Sequence, residues 1–399
     1  MMEKKDKQML FYLGLMGFFT NGDIYSGAPL IVKIAEDLSI TVSNAALSVT
    51  AYMLAFGLFT LILGPMGDRY GKSRIMIISS FGTAIFSCLC IFANNLPLLI
   101  FLRAANGALA AGNMPISMAI VGEKFPGEQL QGAVGKLMGW MLLGGAFATI
   151  IGGAISYIAS WKGVYLAYGV AELIISFLLL NTLEPSKRTI KKLNYFDIYG
   201  KAIANGKLMS VVLLIIVSGF AVFGSFTYTG ELVSKHTDLN ILSIGFVLAF
   251  FGIGGIAGSN VIEKIRMKIG NNVCIVAGVI GSIALFQLSY ISYYPLISLL
   301  LFFVGVMFVF VHSANLIMAQ SIIPNMRGTA MALVSFGMFC GSGIGTLVNN
   351  RILEKSVIEN IFISAALIFL CLGLSTWLIH KVINHKMIQG EGRRGKVLG

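Results

Sequence analysis

The residues with chemistry to offer are few, and they lie where water is scarce. Asp23 sits in Asn21-Gly22-Asp23-Ile24-Tyr25 and Arg103 in Leu99-x-x-x-Arg103-x-x-Asn106-Gly107, both inside long apolar runs. A charged side chain at the centre of a bilayer costs about 2.5–3.5 kcal/mol even on insertion scales, so it is a functional candidate by default. By residue rise Asp23 is about 14 Å from one end of its run and about 21 Å from the other, and Arg103 falls within about 6 Å of the same depth. Glu172 is equally deep in a later run. Glu231 lies at the mouth of its run, where solvation accounts for it. His312, with Asn315 close by, is read as the one histidine inside an apolar run. Enzyme constellations are missing: there is no GxxxxGK[ST], no His/Cys set at metal-ligand spacing and no Ser/His/Asp grouping. No catalytic residue, metal or cofactor is expected, and uphill work by such a chain must draw on an ion gradient.

Elements that could hold these groups in a membrane fill the chain. Its 399 residues are 57% hydrophobic and only 12% charged, against roughly 25% charged in a soluble domain. A hydrocarbon core of about 30 Å takes about 20 apolar residues per helix. Twelve such runs stand near 9–32, 44–63, 75–93, 98–121, 133–157, 163–183, 208–230, 241–261, 272–290, 296–320, 328–348 and 358–379; they are numbered here helix 1 to helix 12. With the N-terminus in the cytoplasm, 23 of the 29 Lys and Arg fall in cytoplasmic segments and 5 outside, Arg103 being within a helix. That asymmetry is the positive-inside rule, and it predicts both termini in the cytoplasm. The net charge of +12 thus reads as topology, with no nucleic-acid partner. The first run lacks a small-residue cleavage site and reads as a retained helix. Cys88, Cys90, Cys274, Cys340 and Cys371 all lie in apolar helices and read as small apolar residues.

Between helices 2 and 3 lies Gly64-Pro65-Met66-Gly67-Asp68-Arg69-Tyr70-Gly71-Lys72-Ser73-Arg74, a charged hairpin whose Gly64 and Gly71 permit a tight turn. It resembles the G-x-x-x-D-R-x-G-[RK]-x-[RK] loop of the major facilitator superfamily, with all six defined positions present. A weaker echo, Glu263-Lys264, Arg266, Lys268 and Gly270, follows helix 8. The stretch from Leu99 to Ala111 resembles the superfamily's l-x-x-x-R-x-x-q-G pattern, with Asn106 in place of Gln. Helix 5 reads Gly144-x-x-x-Ala148-Thr149-x-x-Gly152-Gly153, where the exporters carry a central Gly-Pro. Gly144, Gly152 and Gly153 also suit close helix packing.

The resemblance implies an all-α integral membrane protein, with twelve transmembrane helices in two six-helix pseudo-symmetric halves. Residues 1–186 would form the first half, 187–207 a basic cytoplasmic linker and 208–399 the second half. It is most like the 12-helix drug/proton antiporters, a multi-pass and monomeric protein of the cell membrane, partnered by lipid, protons and a small molecule. The implied activity is alternating-access efflux of lipophilic or amphipathic compounds in exchange for protons. Alternatives are an uptake symporter or a metabolite or sugar exporter on the same fold; more remote is a non-transporting sensor or scaffold. Asp23 resembles the helix 1 acidic position of those antiporters and is expected to couple protons with Arg103. Gly64, Asp68, Arg69, Gly71 and Lys72 would form the conformational loop. Substrate-cavity candidates are Tyr25, Asn106, Asn113, Tyr228, His312 and Asn315.

Overall fold

The computed structural model describes residues 4–125, 128–186 and 195–395, and their regular structure is entirely helical. The twelve spans follow the expected order, and most extend well past their apolar runs. Helices 1, 2 and 3 are Lys4–Asp37, Val42–Tyr70 and Lys72–Leu89. Helices 5 and 6 are Glu128–Ile158 and Trp161–Thr182. Helices 8 to 12 are Ile241–Ile269, Val273–Leu288, Tyr294–Ile322, Arg327–Lys355 and Glu359–Gly395. Several starts are fixed by a polar side chain at the boundary. Thr41, Asn95, Ser160 and Asn240 each accept a bond from the backbone N–H three residues on, satisfying a donor that the first turn leaves free.

Two spans are interrupted. Helix 4 runs Leu96–Ala110, turns at Ala111 and Gly112, and resumes as Asn113–Lys124. At Gly112 an added Cβ would lie 2.3 Å from the Ser79 hydroxyl, so the turn lies hard against helix 3. Helix 7 runs Gly206–Ser218, widens to a π-helix over Gly219–Phe223, continues as Gly224–Phe226 and restarts as Thr229–His236. Gly219 and Gly224 lie directly on the helix 11 backbone at Met338 and Gly345. A π-bulge lets the ladder re-register where two backbones approach that closely. The sequence pattern registers neither break, because both stay apolar.

Among the described residues, helices 1 and 4 are left out of the spans that are long and apolar enough to cross a membrane uninterrupted. Asn21 and Asp23 dilute helix 1, and the turn divides helix 4. These are the two helices that carry Asp23 and Arg103. Helix 12 outruns its apolar run and brings another histidine, the buried His380, into the bundle. The expectation that His312 is alone there is corrected.

Helices 1–6 pack into one half and helices 7–12 into the other. Gly71 after helix 2 and Gly270 after helix 8 both have positive φ, +100° and +59°, a backbone state that favours glycine. The two hairpins are therefore structural counterparts, although the second carries its charges, Glu263, Lys264, Arg266 and Lys268, ahead of the turn glycine and none directly after it. Of the linker, Lys187 and the rest of 187–194 lie outside the described residues. Its remainder includes a helix, Tyr195–Ile203.

The halves meet toward the face opposite the hairpins. There an added Cβ at Gly153 would lie 2.7 Å from the Ile241 carbonyl, one at Gly245 2.3 Å from that of Thr149, and one at Gly230 2.5 Å from that of Ala28. The Thr149 hydroxyl donates to the Gly245 carbonyl at 2.9 Å. Nearer the middle, Gly57 touches Cys340, Gly343 touches Leu54, and Phe56 and Phe339 lie 4.0 Å apart by ring centroid. Toward the hairpin face Gly64, Gly132, Gly135, Gly139 and Gly328 have no atom within 4 Å of an added Cβ. The space between the halves opens on the hairpin side.

Candidate functional site

The first half is built around a buried ion pair. Arg103 on helix 4 donates from Nη1 to Asp23 Oδ1 at 2.8 Å, and from Nη2 to the Asp23 carbonyl at 3.4 Å. Asn106, one turn along helix 4, donates to Asp23 Oδ2 at 2.9 Å, and the Ser87 hydroxyl approaches the same oxygen at 3.5 Å. Thr83 then fixes Asn106 by donating to its Oδ1 at 2.9 Å. The guanidinium lies between two rings, 4.3 Å from the Tyr52 centroid and 4.6 Å from that of Tyr165. Charge-assisted bonds of this kind are about twice as strong as neutral ones, and a desolvated cation–π contact adds about 2 kcal/mol. Asp23 is fully shielded from solvent and Arg103 is 1% exposed. The pair therefore ties helices 1, 2, 3, 4 and 6 together at one level.

A second polar chain runs beside it. Thr20, one turn before Asp23, donates to Glu172 Oε1 on helix 6 at 3.3 Å and accepts from Asn113 Nδ2 at 3.0 Å. Glu172 is fully buried, and its Oε2 has no partner. Asn113 opens the second segment of helix 4, so the break in that helix delivers its amide to helix 1.

The hairpin is arranged differently. Asp68 is 70% exposed and paired at 3.5 Å with Lys72 of its own hairpin, while Lys72 also pairs with Glu123 of helix 4. Arg69 lies over the Tyr70 ring at 5.0 Å. Gly71 is the turn residue, its N–H bonding to the Gly67 carbonyl. Alongside, Lys5 bonds to Glu184 at 2.8 Å and Lys124 reaches Asp6 at 3.4 Å. Asp6 raises the Lys124 ammonium above its ordinary value, and the bond from Lys5 lowers the Glu184 carboxyl. These contacts gather the N-terminal end of helix 1, the hairpin and the ends of helices 4 and 6 on one face. On the opposite face His236 clasps Glu359 at 3.0 Å, and Asp37 accepts from the Trp161 indole at 3.0 Å.

The predicted cavity residues divide. Tyr25 packs its ring 5.4 Å from Phe223 of the other half, and His312 stacks on Phe308 at 5.2 Å. Both remain partly accessible. The other four are buried and engaged elsewhere. Asn106 and Asn113 belong to the networks above, and Tyr228 donates to the Thr346 carbonyl at 3.0 Å. Asn315 donates to Thr376 at 3.4 Å and bonds His380 Nε2 at 3.1 Å. A polar residue in an apolar helix buries itself toward a partner as readily as toward a cavity. Of the helix 5 glycines, Gly144 and Gly152 lie on helix 1 at Phe18 and Ser26, and Gly153 on helix 8.

Sequence reasoning missed Thr20, Tyr52, Thr83, Ser87 and Tyr165. A signal for two of them was present. Ser79, Thr83 and Ser87 recur every fourth residue along helix 3 and are all buried, a polar stripe on one helix face.

Comparison with known proteins fits this architecture. The family profile described as Major Facilitator Superfamily matches residues 13–346. The chain is similar to the uncharacterized MFS-type transporter YceJ of Bacillus subtilis (strain 168), 24% identical over 339 residues, covering 83% of this chain and 85% of that protein. It is 28% identical over 237 residues to the quinolone resistance protein NorB of Staphylococcus aureus (strain bovine RF122 / ET3-1), covering 59% of this chain and 46% of NorB. The chain spans about half the length of several curated relatives that it matches. Among solved structures it resembles a bacterial homolog to the human lysosomal transporter Spinster in an inward-facing, unoccupied conformation. The TM-score is 0.78 at 13% identity, covering 96% of this chain and 98% of that one. At that identity the likeness concerns the fold.

Proposed function

Because the chain belongs to the Major Facilitator Superfamily of transporters and is not an enzyme, we propose that it exports small lipophilic or amphipathic compounds in exchange for protons, by alternating access. The observation that carries this reading is the Asp23–Arg103 pair, a carboxylate and its countercharge buried at mid-membrane. A static bundle gains little from such a pair, which hydrophobic residues of similar volume often replace without loss. A proton exchanger needs a carboxyl group that a proton can release from its partner. Each proton moving inward gains about 2.3 kcal/mol per 100 mV of membrane potential. The efflux class is supported by the similarity to NorB.

In this reading residues 1–186, 187–207 and 208–399 are first half, linker and second half of a monomer in the cell membrane. The hairpin face is cytoplasmic, so the cavity stands open to the cytoplasm, with Tyr25 and His312 touching substrate. A symporter is the second reading, favoured by Ala148-Thr149 standing where exporters carry Gly-Pro. Flux in proteoliposomes, driven by a pH difference imposed in either direction, decides between them. Export is expected only when the proton gradient opposes substrate movement. Substrate movement with the protons would establish uptake, and gradient-independent flux would remove proton coupling altogether.

The sides are tested by labelling. With the native cysteines replaced, a cysteine at Lys162 is expected to react with impermeant reagents from outside only, and one at Lys187 from the cytoplasm only. The reverse pattern would invert every side assigned here.

Asp68 acts in this reading as a switch. Its exposed pair with Lys72 is worth about 0–1 kcal/mol. In the superfamily this aspartate faces the start of helix 11, near Asn325 to Thr329, when the cytoplasmic gate closes. A carboxylate at a helix N-terminus gains about 0.3–1 kcal/mol, and up to about 2 when partly buried. Asp68→Asn is therefore expected to favour the open state several-fold and slow transport while binding persists. Unaltered gate distances by spin-label spectroscopy, with normal flux, would overturn this role.

A further inference from the structure

Helix 2 contains a proline, Pro65, inside its regular span. Proline has no N–H, so the carbonyl four residues earlier, that of Leu61, loses its donor in the helical ladder. A carbonyl left without a partner away from water costs about as much as a lost hydrogen bond. This one is satisfied from outside its own helix: the Tyr199 hydroxyl of the linker helix donates to the Leu61 carbonyl at 2.9 Å.

That bond joins the first half to the linker helix, which packs on the second half. The Tyr199 ring is 7% exposed and packs in a cluster with Leu208, Val212, Met318, Leu333 and Ile383 of helices 7, 10, 11 and 12. Leu61 is on helix 2 of the first half, its side chain leaning on the same cluster. One turn before it, Gly57 touches Cys340 of helix 11. Three residues after it, Gly64 has open space around it. Leu61 therefore lies on the open side of the contact about which the halves would turn. A hydrogen bond of this length is gone once its atoms separate by about half an ångström beyond the usual range.

We propose that Tyr199 is a gating residue, a latch that fills the vacancy created by Pro65 and holds the hairpin-face end of helix 2 to the second half while the cavity is open on that side. Closing that side moves helix 2 past the cluster and breaks the bond. Leu61 then returns to an unpaired carbonyl or finds water, and this difference biases the equilibrium toward the open state. The inference needs only that the halves move; it does not depend on the substrate, the proton or the direction of transport.

The test measures the gate itself. In the full chain, with native cysteines replaced and the protein in liposomes, spin labels at Lys136→Cys of helix 5 and Lys264→Cys of helix 8 report the separation of the halves on the hairpin face. Both positions are exposed. Tyr199→Phe keeps the ring and removes the hydroxyl, so the bond to the Leu61 carbonyl is lost. The ratio of long to short distances is expected to fall by about two- to tenfold. Pro65→Ala restores an N–H within helix 2 that competes for the same carbonyl, and is expected to shift the ratio in the same direction. With both changes the shift should be no larger than the greater of the two alone, because they remove one bond. An unchanged ratio in Tyr199→Phe, or a shift toward longer distances, overturns the proposal. So do fully additive effects, which would mean that Tyr199 acts through some other contact.

Discussion

Replacing Arg103 with leucine is expected to destabilise the protein by about 3–5 kcal/mol, the cost of leaving one member of a buried ion pair without its partner. Asp23 would keep only the Asn106 and Ser87 donors, and the facing Tyr52 and Tyr165 rings would lose the cation between them. A second change should then recover much of the loss. In Arg103→Leu with Asp23→Asn the buried charge is gone, and the amide can rotate to suit Asn106, whose own side chain can turn to offer Oδ1. Thr83 accepts as readily as it donates, so Asn106 keeps both its partners through that rotation. Thermal unfolding in detergent, with the two single changes and the pair, gives the coupling directly. The double variant should be less damaged than Arg103→Leu alone, a non-additivity of at least about 1 kcal/mol between contacting residues. If Arg103→Leu melts with the parent protein, or if the effects add, the pair does not hold helices 1 and 4 together.

What could be read without coordinates was the level of these groups, and what could not was their direction. Helix rise places Asp23 and Arg103 at one depth, and a charge inside an apolar run marks each as special; the break in helix 4 was not legible. Rotation about a helix axis is another matter. Asn106, Asn113 and Asn315 have the same residue type as a cavity-lining amide, yet each turns into its own half, to Asp23, Thr20 and His380. Apolar residues surround a membrane helix on every side, so no amphipathic pattern tells the interior from the cavity or from lipid. The hairpin was legible because turns carry residue-specific signals: Gly71 has a φ of +100°, which glycine adopts without cost. Its counterpart Gly270 could be found by the same logic even where the charges around it had drifted. The bond from Tyr199 to Leu61 depends on a proline's missing N–H, which sequence displays, and on a distant tyrosine, which it does not associate with it.

The second large effect concerns Asp23 itself. Asp23→Asn is expected to abolish proton-driven transport while leaving the protein folded in the membrane. The amide keeps a carbonyl oxygen for Arg103 and, through the Asn106 rotation, satisfies the rest of the network, so the helices stay joined. What it cannot do is exchange a proton. In the proposed cycle the carboxylate is held by Arg103 and Asn106 in the closed-off state of the site. A proton arriving from the external side breaks the ion pair, and rebinding of Arg103 expels it toward the cytoplasm. Substrate movement is linked to that exchange because helix 1 carries Tyr25 half a turn from Asp23, its ring against Phe223 of the other half. Asp23→Asn should therefore fail to accumulate substrate against a gradient and fail to dissipate an imposed pH difference. Counterflow, which exchanges labelled for unlabelled substrate without net protonation, should survive better than uphill flux. Arg103 would remain a buried cation with a neutral partner, so a moderate loss of thermal stability is expected as well, smaller than that of Arg103→Leu. If the Asn variant still concentrates substrate and still collapses a pH difference, Asp23 is a structural partner of Arg103 and the proton travels elsewhere. Glu172, fully buried with one oxygen unpartnered and joined to helix 1 through Thr20, is then the carboxylate to change next, with Glu231 behind it, since Glu231 is already paired with Lys235 at 3.1 Å.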